Sequence, residues 1–249
     1  MGGDLLAALS LLTRLPVRRH AAPRPRGIWA YPVVGLLVGG VSGLAFALAR
    51  SAGVPPVAAS LWAVAASMLL TGALHEDGLA DTADGLGGGR DRAQKLAIMR
   101  DSRIGSFGAL ALVISVMLRS SALAEIDAAT PGSAGAAAAL TVAATLGRAA
   151  MIVPLATLPA AREDGMAAAI SAPPAIALVG GFAVACCASL IFAELRAAVS
   201  ALCAVALTAL AMTAVARRSI GGHTGDVLGA TEQASECVVL SVLAALAAG

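Results

Sequence analysis

Long apolar blocks are the feature of this sequence that most limits its possible folds. Of the 249 residues, 59% are hydrophobic and only 13% are charged, whereas a soluble domain carries about a quarter charged residues. Several blocks reach the roughly 20 residues that a helix needs to cross the hydrocarbon core of a bilayer. The composition therefore predicts an all-α protein whose helices lie in a lipid bilayer.

Seven blocks are predicted to form a polytopic transmembrane helix bundle, a single integral membrane domain over residues 1–249. The short apolar stretch Leu5–Leu12 precedes them, and basic residues follow it, an order opposite to that of a cleaved signal peptide. Residues 1–27 are therefore predicted to be a cytoplasmic segment with an N-terminal interfacial helix. The predicted spans are Ile28–Ala49, Val54–Leu74, Ser106–Leu123, Ala134–Leu158, Pro174–Phe192, Ala197–Ala216 and Ala234–Ala248.

The basic residues are distributed unevenly over this predicted bundle. Thirteen of the 17 lysines and arginines lie in the N-terminal segment and in loops 75–105, 159–173 and 217–233, which seven spans place on one face. Cytoplasmic loops carry such an excess, so the N-terminus and the polar loops are predicted to be cytoplasmic. A net charge of +2 and an aromatic content of 3% give no reason to expect a nucleic-acid partner.

The acidic segment HEDGLADTADG, residues 75–85, is the strongest candidate for a chemical site. Asp77, Asp81 and Asp84 follow one another at i, i+4 and i+7. If the second span continues as a helix, these carboxylates lie within about 60° of one another. Oxygen ligands of this kind suit Mg²⁺, which commonly bridges to substrate phosphates. A solvated acidic helix end is the structural alternative, and His75 and Glu76 point away from the acidic face.

Two further segments of the same predicted face offer phosphate-binding groups. Arg100, Asp101 and Arg103 stand just before the third span; the arginines suit bidentate contacts with phosphate, but they are equally compatible with an orientation signal. Residues 221–236, GGHTGDVLGATEQASE, form a glycine-rich turn entering a helix, and such a turn offers backbone N–H groups to a phosphate. Its candidate residues are Thr224, Gly225, Asp226, Gln233 and Glu236.

Two arginines fall inside predicted spans. Arg148 is near the middle of the fourth span, and an intramembrane charge of this kind usually faces the bundle interior and pairs with a carboxylate. Arg119 lies nearer the end of the third span, so its side chain is expected to reach the interface by snorkelling.

Several motifs, in order along nearly the whole chain, make the sequence resemble the cobalamin synthase (adenosylcobinamide-GDP ribazoletransferase) family. They are LLTRLPV at residues 11–17, YPVVGLLVGG at 31–40, HEDGLADTADG at 75–85, IMRDSRIGSFG at 98–108, AREDGM at 161–166 and GGHTGDVLGA at 221–230. His223 and Glu232 stand where the family appears to vary.

The resemblance implies a Mg²⁺-dependent phosphotransferase of the bacterial cytoplasmic (inner) membrane. Such an enzyme joins adenosylcobinamide-GDP to α-ribazole or its 5′-phosphate, releases GMP and completes the nucleotide loop of vitamin B12. A homo-oligomer is compatible with it. The predicted metal ligands are Asp77, Asp81 and Asp84; the predicted catalytic residues are these three with Asp101 and Asp226; the predicted substrate-binding residues are Arg14, Arg100, Arg103, Arg148, Thr224, Gly225 and Glu236.

Two other functions are compatible with parts of the sequence. A transporter would need carboxylates near the bilayer midplane, but here they cluster at the water edge beside arginines. An intramembrane aspartyl protease could pair Asp84 with Asp226, but its dyad requires two carboxylates about 3 Å apart that share a proton. Metal dependence separates a phosphotransferase from both alternatives.

Overall fold

A computed structural model of the chain describes residues 2–17, 24–130, 132–163, 167–170 and 172–249. Within these ranges the regular structure is helical, which confirms the all-α prediction. Residues 18–23 of the predicted interfacial segment lie outside the described residues. The α-helices are α1 (Gly2–Leu12), α2 (Tyr31–Ser51), α3 (Pro56–Thr71), α4 (Leu74–Gly88), α5 (Arg92–Ile98), α6 (Ser106–Ala129), α7 (Ala134–Ala150), α8 (Ile152–Thr157), α9 (Ala175–Phe192), α10 (Leu195–Ile220) and α11 (Gly225–Ala247), and 3₁₀ turns cover Pro25–Ala30 and Ala168–Ile170.

Among the described residues, six helical segments are long and apolar enough to cross a membrane, and α3 with α4 gives a seventh if the pair is counted as one span. The prediction of about seven spans is therefore confirmed. Large apolar side chains such as Leu69, Met117 and Ile191 are exposed on the outside of the bundle, as expected where lipid is the solvent. The six spans are Pro25–Ser51, Ser106–Ala129, Ala134–Thr157, Ala175–Phe192, Leu195–Ile220 and Gly225–Ala247.

The second predicted span differs from the structure at its end. Helix α3 stops at Thr71, and α4 starts at Leu74 in a direction turned by 93°. Gly72 and Ala73 both have positive φ, 68° and 56°. Glycine adopts this left-handed geometry without steric cost and commonly ends helices. The acidic segment therefore belongs to a separate helix and does not continue the second span.

Close approach of α2 to α7 holds the centre of the bundle together. A Cβ added at Gly35 would lie 2.5 Å from the Ala144 carbonyl oxygen, and one at Gly39 would lie 2.5 Å from the Thr141 Cα. Only glycine allows backbones to approach this closely, and lipid supplies no hydrophobic drive for helix association. The glycines at four-residue spacing thus form the surface of α2 that packs closely against α7.

The last predicted loop is much shorter than expected. Helix α10 continues to Ile220 and α11 already begins at Gly225, so the loop that was predicted over 217–233 covers residues 221–224 only. Glu232 and Glu236 lower the hydropathy of this stretch, but they pair with arginines inside the bundle. Ion pairing therefore allows a polar sequence to lie within a membrane-crossing helix.

The polar segments meet at one end of the bundle. The chain around Pro159 pairs with His223, whose N–H donates to the Pro159 carbonyl over 2.9 Å. Arg92 of α5 donates to the Ile220 carbonyl over 2.8 Å, and the Arg14 N–H donates to the Leu70 carbonyl over 2.7 Å. The N-terminal segment and the polar loops, which are predicted to share one face, thus lie at one end of the molecule, which we call the polar end.

Candidate active site

A cavity of about 250 Å³ opens at the polar end, between α1, α4 and the start of α11. Its polar lining combines two segments that are far apart in the sequence, one in α4 and one at residues 223–226. The lining residues are Asp77, His75, Arg162, His223, Thr224, Gly225 and Asp226 on the polar side, and Leu11, Leu12, Tyr31, Leu74, Gly78, Met151, Ala167, Ala168, Ile170, Leu228 and Gly229 elsewhere.

Two glycines allow α4 and α11 to cross almost in backbone contact. A Cβ at Gly78 would lie 2.8 Å from the Asp226 carbonyl oxygen, and one at Gly229 would lie 3.1 Å from the His75 Cα. Because Asp77 precedes Gly78, this crossing places its carboxylate at the same cavity as Asp226. Gly78 is therefore needed for packing, because it allows the two acidic segments to come together.

The start of α11 is organised around Asp226. The Thr224 hydroxyl accepts the Val227 N–H over 3.2 Å and so caps the helix. The same hydroxyl donates to Asp226 Oδ2 over 3.1 Å, and Arg162 Nη2 lies 3.0 Å from that oxygen. A Cβ at Gly225 would meet open space, so a ligand can approach the helix N-terminus there.

Arg162 is a polar cavity residue that the predicted site did not include, as are His75 and His223. It lies in the AREDGM segment, of which residues 164–166 are outside the described residues. Its guanidinium pairs with Asp226 and lines the cavity, and its Nε has no hydrogen-bond partner within the described parts of the chain. Its presence in a shared motif was the signal that could have identified it.

Asp77, Asp81 and Asp226, which we call the rim aspartates, concentrate negative charge beside the cavity. Asp77 and Asp226 line the cavity, and Asp81 lies outside its lining, within electrostatic reach of both. Asp81 is partly buried, and the charges of Asp77, Asp226 and Asp84 all repel its carboxylate, with Arg162 as the opposing cation. Hard divalent cations favour such an oxygen-rich donor set, so the residues fit Mg²⁺ in type and charge. In the part of the chain that the structure describes, however, no three acidic, histidine or cysteine side chains converge on one point at ligand distance.

Asp84, the third predicted metal ligand, has a contact of its own. Its Oδ2 accepts the Gly105 N–H over 2.7 Å and its Oδ1 accepts the Gly108 N–H over 2.8 Å. These are orphan donors in the first turn of α6, so the carboxylate caps α6 from a neighbouring helix. A side chain at Gly105 or Gly108 would collide with it, which explains the two glycines of the IMRDSRIGSFG segment.

Four other predicted site residues lie outside the cavity lining. Asp101 and Arg103 form an exposed pair in the loop before α6, with 2.6 Å between Oδ2 and Nη2. The hydrogen bond from Arg103 lowers the pKa of the Asp101 carboxyl to about 2. Arg100 is exposed in the same loop, and Arg14 is exposed after α1, with its side chain against Gly72.

Arg148 and Glu236, predicted to bind substrate, lie within the bundle below the cavity. Arg148 Nη1 is 2.7 Å from Glu232 Oε1 and 3.2 Å from Glu236 Oε1, so this intramembrane arginine faces the interior and pairs with carboxylates. Arg148 is 1% exposed. The structure therefore gives these residues partners within the protein instead of a place in the cavity wall.

Arg119 corrects one prediction, because it does not snorkel to the interface. It is 2% exposed, and it lies 3.1 Å from Glu236 and 3.5 Å from Glu76. Pairing inside the bundle removes the need to reach water. Glu76, Arg119, Arg148, Glu232 and Glu236 form what we call the buried ion network, to which Gln233 adds hydrogen bonds to Glu76 and Glu232.

Comparison with known proteins gives relatives along almost the full length. A family model described as cobalamin-5-phosphate synthase matches residues 4–244. Proteins named adenosylcobinamide-GDP ribazoletransferase are similar to the chain in Bradyrhizobium diazoefficiens (45% identity, 99% of this chain and 95% of that protein), Azorhizobium caulinodans (44%, 95% and 93%) and Sinorhizobium medicae (42%, 97% and 95%). No solved structure matches it. The resemblance seen in the motifs is thereby confirmed, and the chain belongs to the cobalamin-5-phosphate synthase family.

Proposed function

We propose that this protein is a Mg²⁺-dependent adenosylcobinamide-GDP ribazoletransferase. It joins adenosylcobinamide-GDP to α-ribazole or α-ribazole 5′-phosphate, releases GMP and forms adenosylcobalamin or its 5′-phosphate. The name of the relatives, adenosylcobinamide-GDP ribazoletransferase, supplies the donor and the acceptor. The observation that carries the proposal is that the HEDGLADTADG and GGHTGDVLGA segments meet at one cavity, with Asp77 and Asp226 in the same wall.

The transfer breaks the phosphoanhydride bond of the donor's diphosphate and forms a phosphoester bond to the acceptor. A ribose hydroxyl of the acceptor attacks the phosphorus bonded to the corrinoid arm, the bond from that phosphorus to the GMP oxygen breaks, and the hydroxyl proton passes to a rim aspartate. Catalysis of phosphoryl transfer depends mainly on positioning and on charge stabilisation. Arg162 and the open N-terminus of α11 at Gly225 are suited to hold the diphosphate.

The rim aspartates are the proposed holders of Mg²⁺. When bound, the ion supplies charge neutralisation for the diphosphate and for the departing GMP. Asp84, the remaining member of the predicted ligand set, is proposed to support the site by fixing the start of α6, because both of its oxygens accept backbone N–H groups. Arg100, Arg103 and Arg14 stay proposed contacts for the parts of the donor outside the cavity.

We infer that the polar end faces the cytoplasm and that the protein resides in the bacterial inner membrane. The excess of basic residues in the N-terminal segment and in the loops of that end supports this orientation. Cysteine accessibility labelling of intact cells tests it: an added cysteine at residue 90 should be protected from a membrane-impermeant reagent, whereas one at residue 52 should react.

The decisive test is an assay of the full-length protein in detergent with adenosylcobinamide-GDP and α-ribazole. GMP release and corrinoid product should appear together in equal amounts. Chelation with EDTA should stop both, and added Mg²⁺ should restore them. Turnover that persists after chelation would contradict the metal role, and absence of product with these two substrates would contradict the transferase itself.

A further inference from the structure

Two buried histidines line the cavity, and the phosphoryl chemistry at the rim does not use them. His75 and His223 are each 1% exposed. His75 Nε2 and both ring nitrogens of His223 have no hydrogen-bond partner among the described residues. Buried polar atoms normally have partners, so three such nitrogens around one cavity indicate a ligand that brings polar atoms to them.

The His223 side chain is not needed to hold its own loop. The His223 N–H donates to the Pro159 carbonyl over 2.9 Å, and its carbonyl accepts the Ala161 N–H over 2.8 Å. Both contacts are made by the backbone, and any residue could make them. The adjacent Gly222 allows this approach, since a side chain there would meet the chain around Pro159. The imidazole is therefore held rigidly at the cavity without a structural task of its own.

The rest of the cavity wall is mostly apolar and its size is limited. A space of about 250 Å³ is surrounded by the side chains of Leu11, Leu12, Tyr31, Met151, Ile170 and Leu228. Pockets for drug-sized ligands occupy about 300–1,000 Å³, so a corrin ring does not fit, whereas the base of a nucleoside does. The choice is then between the guanine of the donor and the base of the acceptor.

We propose that this cavity binds the base of the ribazole acceptor and that His223 recognises its free ring nitrogen. This inference rests on the proposed function. The base of ribazole is dimethylbenzimidazole, a flat bicycle with two methyl groups, and only one of its nitrogens can accept a hydrogen bond once the other is bonded to ribose. Guanine carries donors and acceptors around its edge. With Arg162, Asp77 and Asp226 engaged by the diphosphate and the cation in the proposed function, the remaining, mostly apolar wall would leave several of those groups unpaired.

The protonation state of His223 is compatible with this role. Burial lowers the pKa of the imidazole, so the ring is neutral at neutral pH, with one N–H to donate and one nitrogen to accept. The N–H of His223 donates to the ring nitrogen of the base, and His75 Nε2 is available to the attached ribose. Since Asp77 and Asp226 line the same cavity, the ribose hydroxyl is then presented to the rim aspartates.

Steady-state kinetics on the full-length protein in detergent, with each substrate varied in turn, test this assignment. His223→Phe keeps a ring but removes both nitrogens. It should raise KM for α-ribazole about tenfold, the effect of one lost buried hydrogen bond, and leave KM for adenosylcobinamide-GDP unchanged within twofold. His223→Asn or His223→Gln, which keep an N–H donor, should recover part of the loss.

A modified acceptor removes the same hydrogen bond from the other side. The riboside of dimethylindole has a C–H where ribazole has its free nitrogen. Wild-type protein should bind it about tenfold more weakly than ribazole, and His223→Phe should not distinguish the two acceptors, because the lost contact is shared. This comparison remains informative on the wild-type protein and the amide variants if His223→Phe does not fold.

The outcomes separate this inference from the function on which it rests. A wild-type protein that forms no product with ribazole would overturn the proposed transferase. Normal wild-type turnover with an unchanged ribazole KM in His223→Phe would overturn only the cavity assignment. If His223→Phe instead raises KM for adenosylcobinamide-GDP, the cavity binds guanosine, and the assignment to the acceptor base is overturned as well.

Discussion

Helices α4 and α11 each carry acidic residues in two neighbouring regions, and the two regions differ in charge balance. Beside the cavity, among the described residues, the three rim aspartates have Arg162 as their opposing cation. Inside the bundle, three glutamates meet two arginines at distances of 2.7 to 3.5 Å. The short side chains thus sit at the water edge with excess negative charge, and the longer ones sit in the interior, where pairs nearly balance them.

The difference follows from the cost of removing charge from water. A buried carboxylate is costly unless a paired cation and hydrogen bonds replace its hydration, so the interior tolerates glutamates only beside Arg119 and Arg148. At the rim, water can solvate the surplus, and a cation or a cationic ligand can bind there. Charge balance, more than acidity, separates the residues that hold this fold from those available for chemistry.

Removal of an interior arginine should have the largest effect. Arg148→Met leaves Glu232 and Glu236 without their shared partner, and breaking a buried pair costs about 3–5 kcal/mol. We expect this loss in the unfolding free energy in detergent. The double variant Arg148→Met/Glu232→Met removes charges of both signs and should recover most of the stability. A single variant as stable as the wild type would show that the buried ion network does not hold the bundle.

A rim variant should give the opposite pattern, with activity lost and stability kept. Asp81→Asn should lower kcat/KM by about 10²–10³-fold, the scale for loss of one electrostatic group at a reacting centre. Its melting temperature should be unchanged or higher, because the repulsion among the rim aspartates is reduced. Asp91→Asn is the matched control: Asp91 caps α5 by accepting the Gln94 N–H, and asparagine keeps that cap. Full activity of Asp81→Asn would remove Asp81 from the site.

The crossing that joins the two regions predicts an intermediate effect. Gly78→Ala places a methyl group 2.8 Å from the Asp226 carbonyl oxygen, so α4 must move away from α11. Overpacking of this kind costs about 1–3 kcal/mol of unfolding free energy. Because the movement of α4 also displaces Asp77, we expect kcat to fall even where the protein remains folded. Gly40→Ala serves as control, since a Cβ there would meet no described atom within 4 Å. Equal activity of the two variants would show that the crossing does not align the carboxylates.

The smallest stability effect is expected for the exposed pair of Asp101 and Arg103. Such pairs add little to stability, so Asp101→Asn should shift the melting temperature by less than about 1 °C. The Asp101 pKa is lowered from 3.8 to about 2, so any contribution is complete above pH 4 and disappears as the pH falls through 2. The melting temperatures of Asp101→Asn and wild type should therefore differ equally at pH 6 and pH 8. A pH-dependent difference in that range would contradict this assignment.

The sequence was sufficient for features that depend on periodicity and on the bilayer. The length of the apolar blocks predicted the spans, and the basic residues predicted that the polar loops lie at the same end of the bundle. Helical spacing placed Asp77 and Asp81 on one helix. The remaining features depend on contacts between distant segments. The residues next to Asp84 in the sequence do not indicate that it caps α6. Those next to Arg119 do not indicate that it pairs with carboxylates of α4 and α11. The break at Gly72 was also missed, because the apolar pattern continues across it.

The break between α3 and α4 has a consequence for the surrounding lipid. With 16 residues, α3 rises about 24 Å, which is less than the roughly 30 Å of a typical hydrocarbon core. Its lipid-facing surface is therefore shorter than the hydrocarbon core is thick, a mismatch that local thinning of the bilayer, snorkelling of flanking side chains or oligomerisation can accommodate. Thinning of the bilayer beside α3 would bring water and a bulky polar donor closer to α4, the acidic helix that follows it.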